Sequence, residues 1–385
     1  MSFLDNFKKT ISQSIRPKER SAVAIDFGIS SVKVVQLRKE HGKAILETYG
    51  ELACGPYNDL AVGQATPLST DKYVELIRDL FKEANVTAKI GAIAIPLSHS
   101  LIVSAEIPEI PEARLPEVIP LEARKYVPVP ISEVILDWWV VPRSQSDFAP
   151  AVDASTQSSE EVMSSTDGNS GRKMEVLIAS IHKDSVREYQ SIVSKLNLQV
   201  DAFEIETFSS IRSVMPNDLS ATAILDIGAG SAKIAIVDYG IVRLSHTIPK
   251  GSQDITVSIS KSLSIPFAKA EEVKRRLGLV GDIEKGDLVE MISPTVEYIF
   301  AEANKTMVKY QKEHKRSINK VVLIGGGATL KGILDIARGI MGVPVVLGLP
   351  FDKVEAPAFL NNVLKEAGPE FAVAIGLALR KLEDL

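Results

Sequence analysis

The residues of this chain whose types and spacing could do chemistry come as a repeated set. Asp26, Gly28, Ser31 and Lys33 in IDFGISSVKVV recur as Asp226, Gly228, Ser231 and Lys233 in LDIGAGSAKIA, at a constant offset of 200 residues. Each copy reads as a buried strand, a tight turn and a second strand. Two such turns facing each other across a cleft would suit a triphosphate. Glycine at Gly28, Gly228 and Gly230 lets the backbone take positive φ and brings peptide N–H groups close to phosphate oxygens. The hydroxyls of Ser30, Ser31 and Ser231 can donate further hydrogen bonds, and Lys33 can offset phosphate charge. Asp26 and Asp226, at strand ends, could hold Mg²⁺ through its waters, because Mg²⁺ dehydrates reluctantly. A single Asp-x-Gly turn is equally an ordinary hairpin turn, and Lys33 alone would equally be a solvent-facing strand lysine. The duplication is what favours the phosphate reading.

A third glycine element follows late in the chain. Gly325, Gly326 and Gly327 come directly after the buried run VVLI and before a helix-like stretch. Strand, glycine turn and helix together let a backbone lie flat against a base or phosphate. The spacing is not G-x-G-x-x-G and does not open a βαβ unit. No G-x-x-x-x-G-K-[ST] occurs anywhere, which excludes a P-loop NTPase.

These three elements, in this order and spacing, resemble the actin-like ATPase superfamily of actin, DnaK-type chaperones, sugar kinases and FtsA. They match its first phosphate loop, second phosphate loop and adenosine motif; Lys33 follows Asp26 by seven residues, as does the phosphate-contacting lysine of actin. Within that superfamily the chain is similar to the PilM family of type IV pilus assembly proteins from Met1 onward. The stretches that carry the similarity are VAIDFGISSVKVVQL, IPLEARKYVPVPISEVILDWWVV, FEIETFSSIRSV, SIPFAKAEEVKRRLG and KVVLIGGGATLKGILDIARGIMGVPV. The second of these discriminates best, because it belongs to the inserted subdomain that PilM and FtsA carry in place of actin's. Two departures stand out. The family usually has two glycines before the first helix of the adenosine-side subdomain, where this chain has Lys250-Gly251, and the polar loop 143–172 is longer than the family needs.

The resemblance implies further site residues. Gly251 joins the nucleotide set, and Glu271 and Lys274 border the ribose and adenine; spaced three apart on one helical face, they would otherwise be a surface ion pair. Glu206 falls where relatives approach the γ-phosphate and would position an attacking water as general base. Its alternative is a carboxylate stabilised at a helix N-terminus. The function implied is an ATP- or ADP-binding scaffold using Mg²⁺, slow or inactive in hydrolysis, which binds the cytoplasmic tail of a PilN-like membrane protein between the first core and the insert. Pilus motor ATPases and self-association remain open as further contacts. Two other readings compete. An FtsA-like, membrane-associated filament-forming ATPase would anchor through a C-terminal amphipathic helix, whereas this chain ends in the acidic LEDL. A small-molecule kinase would need a catalytic Asp and a polar substrate pocket, and residues 115–135 of the insert are rich in Pro and apolar side chains instead.

Periodicity and the duplication give the elements that must hold these residues, and the expected fold class is α/β. The resemblance implies the actin-like ATPase fold: two duplicated α/β domains around a nucleotide cleft, plus an inserted subdomain of the FtsA and PilM type. Residues 21–96 and 199–219, closed by a C-terminal helix at 369–385, form the first core. Its hairpin turns near His41-Gly42, and a helix over 71–85 is capped by Thr70. Residues 97–198 form the insert, with 143–172 as a flexible loop too polar to offset its ordering entropy. Residues 220–249 and 318–368 form the second core, and 250–317 its helical subdomain. Residues 1–20 carry Phe3, Leu4, Phe7, Ile11 and Ile15 at helical spacing, with Lys8, Lys9, Arg16, Lys18 and Arg20 around and after them. Such a segment can lie on an anionic membrane, dock on a partner or fold back on its own domain.

Composition narrows the function classes. A formal net charge of −5 argues against a general nucleic-acid binder. Cys54 is the sole cysteine, so no intramolecular disulfide can form, and the five histidines lie too far apart to read as a zinc site. No apolar run approaches the roughly 18 residues that span a bilayer; the best, 371–379, stops at Arg380 and reads as a buried helix. Asp5, Lys8 and Lys9 interrupt any signal-peptide core. The expected location is the cytoplasm, peripheral to the inner membrane.

Overall fold

The computed structural model describes residues 21–141, 172–215, 219–280 and 288–385. The amphipathic segment 1–20 and the polar loop up to Gly171 lie outside the described residues.

The described residues open with β1 (Ser21–Phe27), β2 (Ser31–Glu40) and β3 (Lys43–Ala53), an antiparallel meander, then α1 (Thr70–Glu83) and β4 (Ile90–Ile95), which runs parallel to β1. β1 buries Ala22, Val23, Ala24 and Ile25 completely, as a central strand covered on both faces must. A smaller unit follows: β5 (Ser100–Pro108), α2 (Leu115–Ala123), β6 (Val134–Val140) and β7 (Lys173–His182), in which the strands form a separate antiparallel sheet of order β5-β7-β6. The chain returns through α3 (Lys183–Ser194) and β8 (Gln199–Ile205), completing a sheet of order β3-β2-β1-β4-β8, and continues into α4 (Glu206–Val214).

The second half repeats the plan. β9 (Thr222–Ile227), β10 (Ala232–Asp238) and β11 (Ile241–Ile248) form a meander; α5 (Ser252–Leu263), α6 (Phe267–Leu277) and α7 (Leu288–His314) precede β12 (Lys320–Ile324), α8 (Ile333–Met341) and β13 (Val345–Leu347). The sheet order is β11-β10-β9-β12-β13, matching the first sheet strand for strand. Even the hairpin turns correspond. His41-Gly42 and Tyr239-Gly240 both take positive φ at both residues, the turn whose twist suits a two-residue hairpin. α9 (Asn361–Ala367) and α10 (Ala372–Glu383) close the chain.

Packing redraws two boundaries expected from sequence. Tyr189, Ile192 and Val193 of α3 pack with Val23, Ile25, Leu76 and Ile77 on one face of the first sheet, so this helix joins the first core, not the insert. Phe351 and Leu364 lie with Ala22, Val35, Leu37, Ile375 and Leu377 on its opposite face, and Glu355 bridges Ile45 at the sheet edge. Residues 350–367 therefore cover the first lobe, although they follow the last strand of the second. The apolar faces of α5, α6, α7 and α8 share one continuous core with the second sheet, so the described helices of 250–317 pack as part of the second lobe. The first helix keeps its expected place, but its cap is Ser69, whose side chain accepts from the Lys72 N–H, and not Thr70, which is the first helical residue.

Candidate functional site

The β1–β2 turn and the β9–β10 turn face each other across a cavity of ≈ 390 Å³ between the lobes. The second turn is closed by the Gly228 N–H donating to the Ser231 carbonyl oxygen at 3.1 Å. A Cβ on Gly28 would lie 2.7 Å from the Ser31 carbonyl oxygen, and one on Gly230 would overlap the Ile29 side chain of the opposite turn. The two turns therefore touch through Ile29, while within the first turn the Ser31 carbonyl leaves room only for glycine at Gly28. Gly325 completes the floor. Its φ is +83°, its N–H donates to the Pro369 carbonyl at 2.7 Å, and a Cβ there would fall on the Asp226 carboxylate.

Strand register aims the charged side chains inward. Asp26, Lys33 and Glu51 sit opposite one another on β1, β2 and β3, as Asp226, Lys233 and Thr247 do on β9, β10 and β11. All six line the cavity. The Lys33 Nζ lies 2.8 Å from the Ser31 Oγ and 2.9 Å from the Glu51 Oε1, so it is not a solvent-facing lysine. Burial works against its charge, but Glu51, Glu370 and Asp26 hold its pKa above the ordinary value. Burial pushes the Asp26 carboxyl up to about 7 against the pull of Lys33, and raises Asp226 against Lys233. Glu206 occupies the first position of α4 and is buried; its Oε1 meets the Lys233 Nζ at 2.9 Å and accepts the Leu97 N–H at 2.6 Å. It is thus both a helix N-terminal carboxylate and a cavity residue.

The opposite wall belongs to α5 and α6. Glu271 and Lys274 pair at 2.7 Å and are buried, which removes the surface-pair alternative. Glu271 also accepts from the Thr256 Oγ1 at 2.6 Å and the Arg275 Nε at 2.7 Å. Burial lowers the Lys274 pKa despite Glu271. Gly251 does not line the cavity. It lies behind the second turn, where a Cβ would press on the Gly228 and Ala229 carbonyls, and the next two N–H groups, of Ser252 and Gln253, donate to those oxygens at 2.9 Å. Its role in the geometry is to brace the turn.

Ser30, Ser31, Gly228, Gly230, Ser231, Gly326 and Gly327 all line the cavity with the residues above. Sequence reading gave no role to Glu51, Lys233, Arg275, Glu370 and Gly63, which line it too. The match of Lys233 to Lys33 is the signal for its role; the others carry no local signal. Burial, then the neighbouring Glu51, raises the Glu370 carboxyl.

Asp26, Glu51, Glu206, Asp226, Glu271 and Glu370 thus face Lys33, Lys233, Lys274 and Arg275, six carboxyls to four cations. A polyanion entering this cavity needs a companion cation. Asp26 and Asp226 offer hard oxygen donors, and among the described residues no group of three or more His, Cys, Asp and Glu is arranged to ligate a metal directly. That donor set fits an ion retaining most of its water, as Mg²⁺ does.

Over residues 24–154 and 160–382 the chain matches the family described as "Type IV pilus assembly protein PilM". Cell division protein FtsA of Pseudomonas aeruginosa is 26% identical over 247 residues, 56% of this chain and 56% of that protein. FtsA of Neisseria meningitidis serogroup B is 28% identical over 246 residues, 56% of this chain and 57% of that protein. The chain thus spans little more than half the length of these curated relatives. Among solved structures, the PilM-PilN type IV pilus biogenesis complex superimposes with a TM-score of 0.75 at 22% identity, covering 94% of this chain and 98% of that one. MreB5 of Spiroplasma citri bound to AMPPNP gives a TM-score of 0.50 at 11% identity, covering 96% and 98%. The fold is that of the actin-like ATPases.

Proposed function

The chain belongs to the type IV pilus assembly protein PilM family, and from that premise we propose that it is a nucleotide-dependent scaffold of pilus assembly. The observation that carries the reading is the pair of equivalent glycine turns meeting across one cavity, with Gly325 forming a third side. The 28–31 and 228–231 turns bind the phosphates of ATP or ADP through backbone N–H groups and the hydroxyls of Ser30, Ser31 and Ser231. Lys33 exchanges Glu51 for a phosphate oxygen. Glu271 and Lys274 border the sugar and base beside Gly326 and Gly327. Mg²⁺, when bound, is held by Asp26 and Asp226 through water and supplies the positive charge that this acidic cavity lacks. The AMPPNP bound to MreB5 supports a nucleotide in the same fold.

Turnover in this reading is slow. One Glu206 oxygen already takes a lysine and a backbone N–H, so that oxygen is occupied where an attacking water would have to meet it. The output is binding. In the solved complex PilM is paired with PilN, and a PilN-like cytoplasmic tail is the partner proposed here, seated between the first core and the insert. Ile135 and Trp139 support that placement: both stand about half exposed on β6, an edge strand, with Trp139 5.6 Å from Phe208 of α4. No helix among the described residues is long and apolar enough to cross a membrane; peripheral attachment at the inner membrane is proposed through that partner, through residues 1–16, or through both. The similarity to FtsA supports the shared fold; PilM family membership favours the scaffold over a filament.

Calorimetry with ATP and ADP, with and without Mg²⁺, tests the site. Binding should require Mg²⁺, and Asp26→Ala or Asp226→Ala should weaken it at least tenfold, a loss of about 1.4 kcal/mol. Unchanged affinity in both variants would remove these turns from the nucleotide site. A pull-down with a PilN-like tail, lost in Trp139→Ala, tests the partner.

A further inference from the structure

An ion pair in the cleft links the second lobe to the root of the inserted unit. Lys233 lies on β10, opposite Asp226 in register and two residues beyond the second turn. Its Nζ crosses to the Glu206 Oε1, 2.9 Å away, on the helix that follows the first sheet. The same oxygen accepts the N–H of Leu97, which begins the stem from β4 to β5. Pro96 and Ser98, on either side of Leu97, line the cavity themselves. The Leu97 side chain is buried among Ile102, Leu177 and Val141 of the insert, Ile205 of β8 and Val242 of β11. One carboxylate oxygen therefore joins a second-lobe cation to an amide whose own side chain is part of the contact between the insert and both lobes.

We infer that Lys233, Glu206 and Leu97 form a positioning relay that reports the terminal phosphate of the bound nucleotide to the inserted unit, an inference that rests on the nucleotide site proposed above. A largely buried ammonium has given up most of its water and is satisfied by whichever anion reaches it. A terminal phosphate beside the second turn competes with Glu206 for Lys233, and charge-assisted hydrogen bonds to phosphate are strong enough to compete with a carboxylate. Glu206 then keeps only the Leu97 N–H, and a buried carboxylate with a single donor draws its remaining partner closer or reorients with it. A diphosphate lacks the competing group and leaves the pair as it stands. The two arrangements of the pair give the relay its two states, and each nucleotide favours one of them. By reciprocity, a ligand that fixes the insert changes the preference for triphosphate over diphosphate by the same factor.

Hydrogen exchange on the full chain, saturated with Mg·AMPPNP or with Mg·ADP, reads the relay at the amides of 97–103. Saturation keeps any change in affinity out of the comparison. In the unmodified chain the Leu97 amide should exchange at rates that differ by about fivefold between the two nucleotides, the low end of ordinary coupling. The difference should collapse in Lys233→Met and in Glu206→Gln, and persist in Lys233→Arg, which keeps the cation. A merely structural pair would change stability in all three variants without making the stem respond to the nucleotide. Equal exchange over 97–103 with both nucleotides in the unmodified chain overturns the relay and leaves the nucleotide site standing, so a variant that fails to fold does not block the test. A difference that survives in both Lys233→Met and Glu206→Gln overturns it as well. If calorimetry finds that the unmodified chain binds neither nucleotide, the site itself fails, and the relay with it.

Discussion

At Glu204 the last residues of the first sheet meet a fork of cations. The two Arg212 nitrogens reach its oxygens at 2.7 Å each, the Ser209 hydroxyl donates at 2.5 Å, and Arg380 adds a bond at 3.1 Å. Burial works against the charge of Glu204, but the Arg212 bonds, Ser209 and Arg380 more than offset it and hold the carboxyl below its ordinary range. Because the folded pKa lies below the unfolded one, the folded state binds fewer protons. The stabilisation is complete above the unfolded value of about 4.3 and is lost as pH falls through the folded pKa. Glu204→Gln should therefore lower the urea midpoint near neutral pH, with the gap to the unmodified chain closing in acid. A gap constant from neutral to acid pH would show that the charge of Glu204 carries no stability. This cluster has no sequence signature: its cations come from α4 and α10, and only the packing of those helices on β8 makes them neighbours. The cavity glycines are the opposite case. Gly28 and Gly228 are legible because they recur in the duplicated Asp-x-Gly turns, and at Gly28 the Ser31 carbonyl leaves no room for a side chain.

Among the elements, α4 and α10 approach each other closely. A Cβ on Gly376 would penetrate the Ser209 carbonyl, and the same glycine's carbonyl accepts from Arg212 at 3.1 Å. Two effects of opposite sign meet at this position. Gly→Ala inside a helix gains about 1 kcal/mol from propensity, whereas overpacking a tight contact costs about 1–3 kcal/mol. With backbone as the obstacle the contact cannot yield by rotating a side chain, so Gly376→Ala should lower Tm. A raised Tm would mean that the two helices slide apart freely. The apolar run at 371–379 announces α10 as a buried helix, but no pattern in it names α4 as the partner. The same limit explains α3: its apolar residues mark a buried face, and its position after the insert assigned that face to the wrong unit.

For the whole molecule, the insert is tied to both lobes. Glu175 of β7 pairs with Arg243 of β11 and accepts from the Ser104 hydroxyl at 2.5 Å, beside the apolar contact that includes Leu97, Leu177 and Val242. The Arg243 side chain is only 9% exposed, so its loss leaves a half-buried carboxylate short of its cation. Arg243→Met should raise hydrogen exchange in 100–108 and 241–248 while β1 and β4 stay protected. Uniform loosening throughout would place the effect in global stability instead of in this junction. The lobes also meet at the cavity mouth, where the Ala65 N–H donates to the Gln253 Oε1 at 2.5 Å, so any opening of the cleft must break contacts on two sides.

The sequence by itself determined the duplication, the α/β class, the paired glycine turns, the late glycine turn and the resemblance to PilM. These are local properties: a strand, a turn and a required absence of side chain are written in consecutive residues and survive in a repeat. The tertiary structure alone decided which face each helix covers, why 350–367 belongs to the first lobe, and how Glu51, Arg275 and Glu370 reach the cavity. It also decided that Lys233 and Leu97 share one Glu206 oxygen. The physical reason is that amphipathic periodicity states how much of an element is buried and not against what. A pairing of charges from different lobes is fixed by sheet register and lobe packing, which involve residues far apart in the chain.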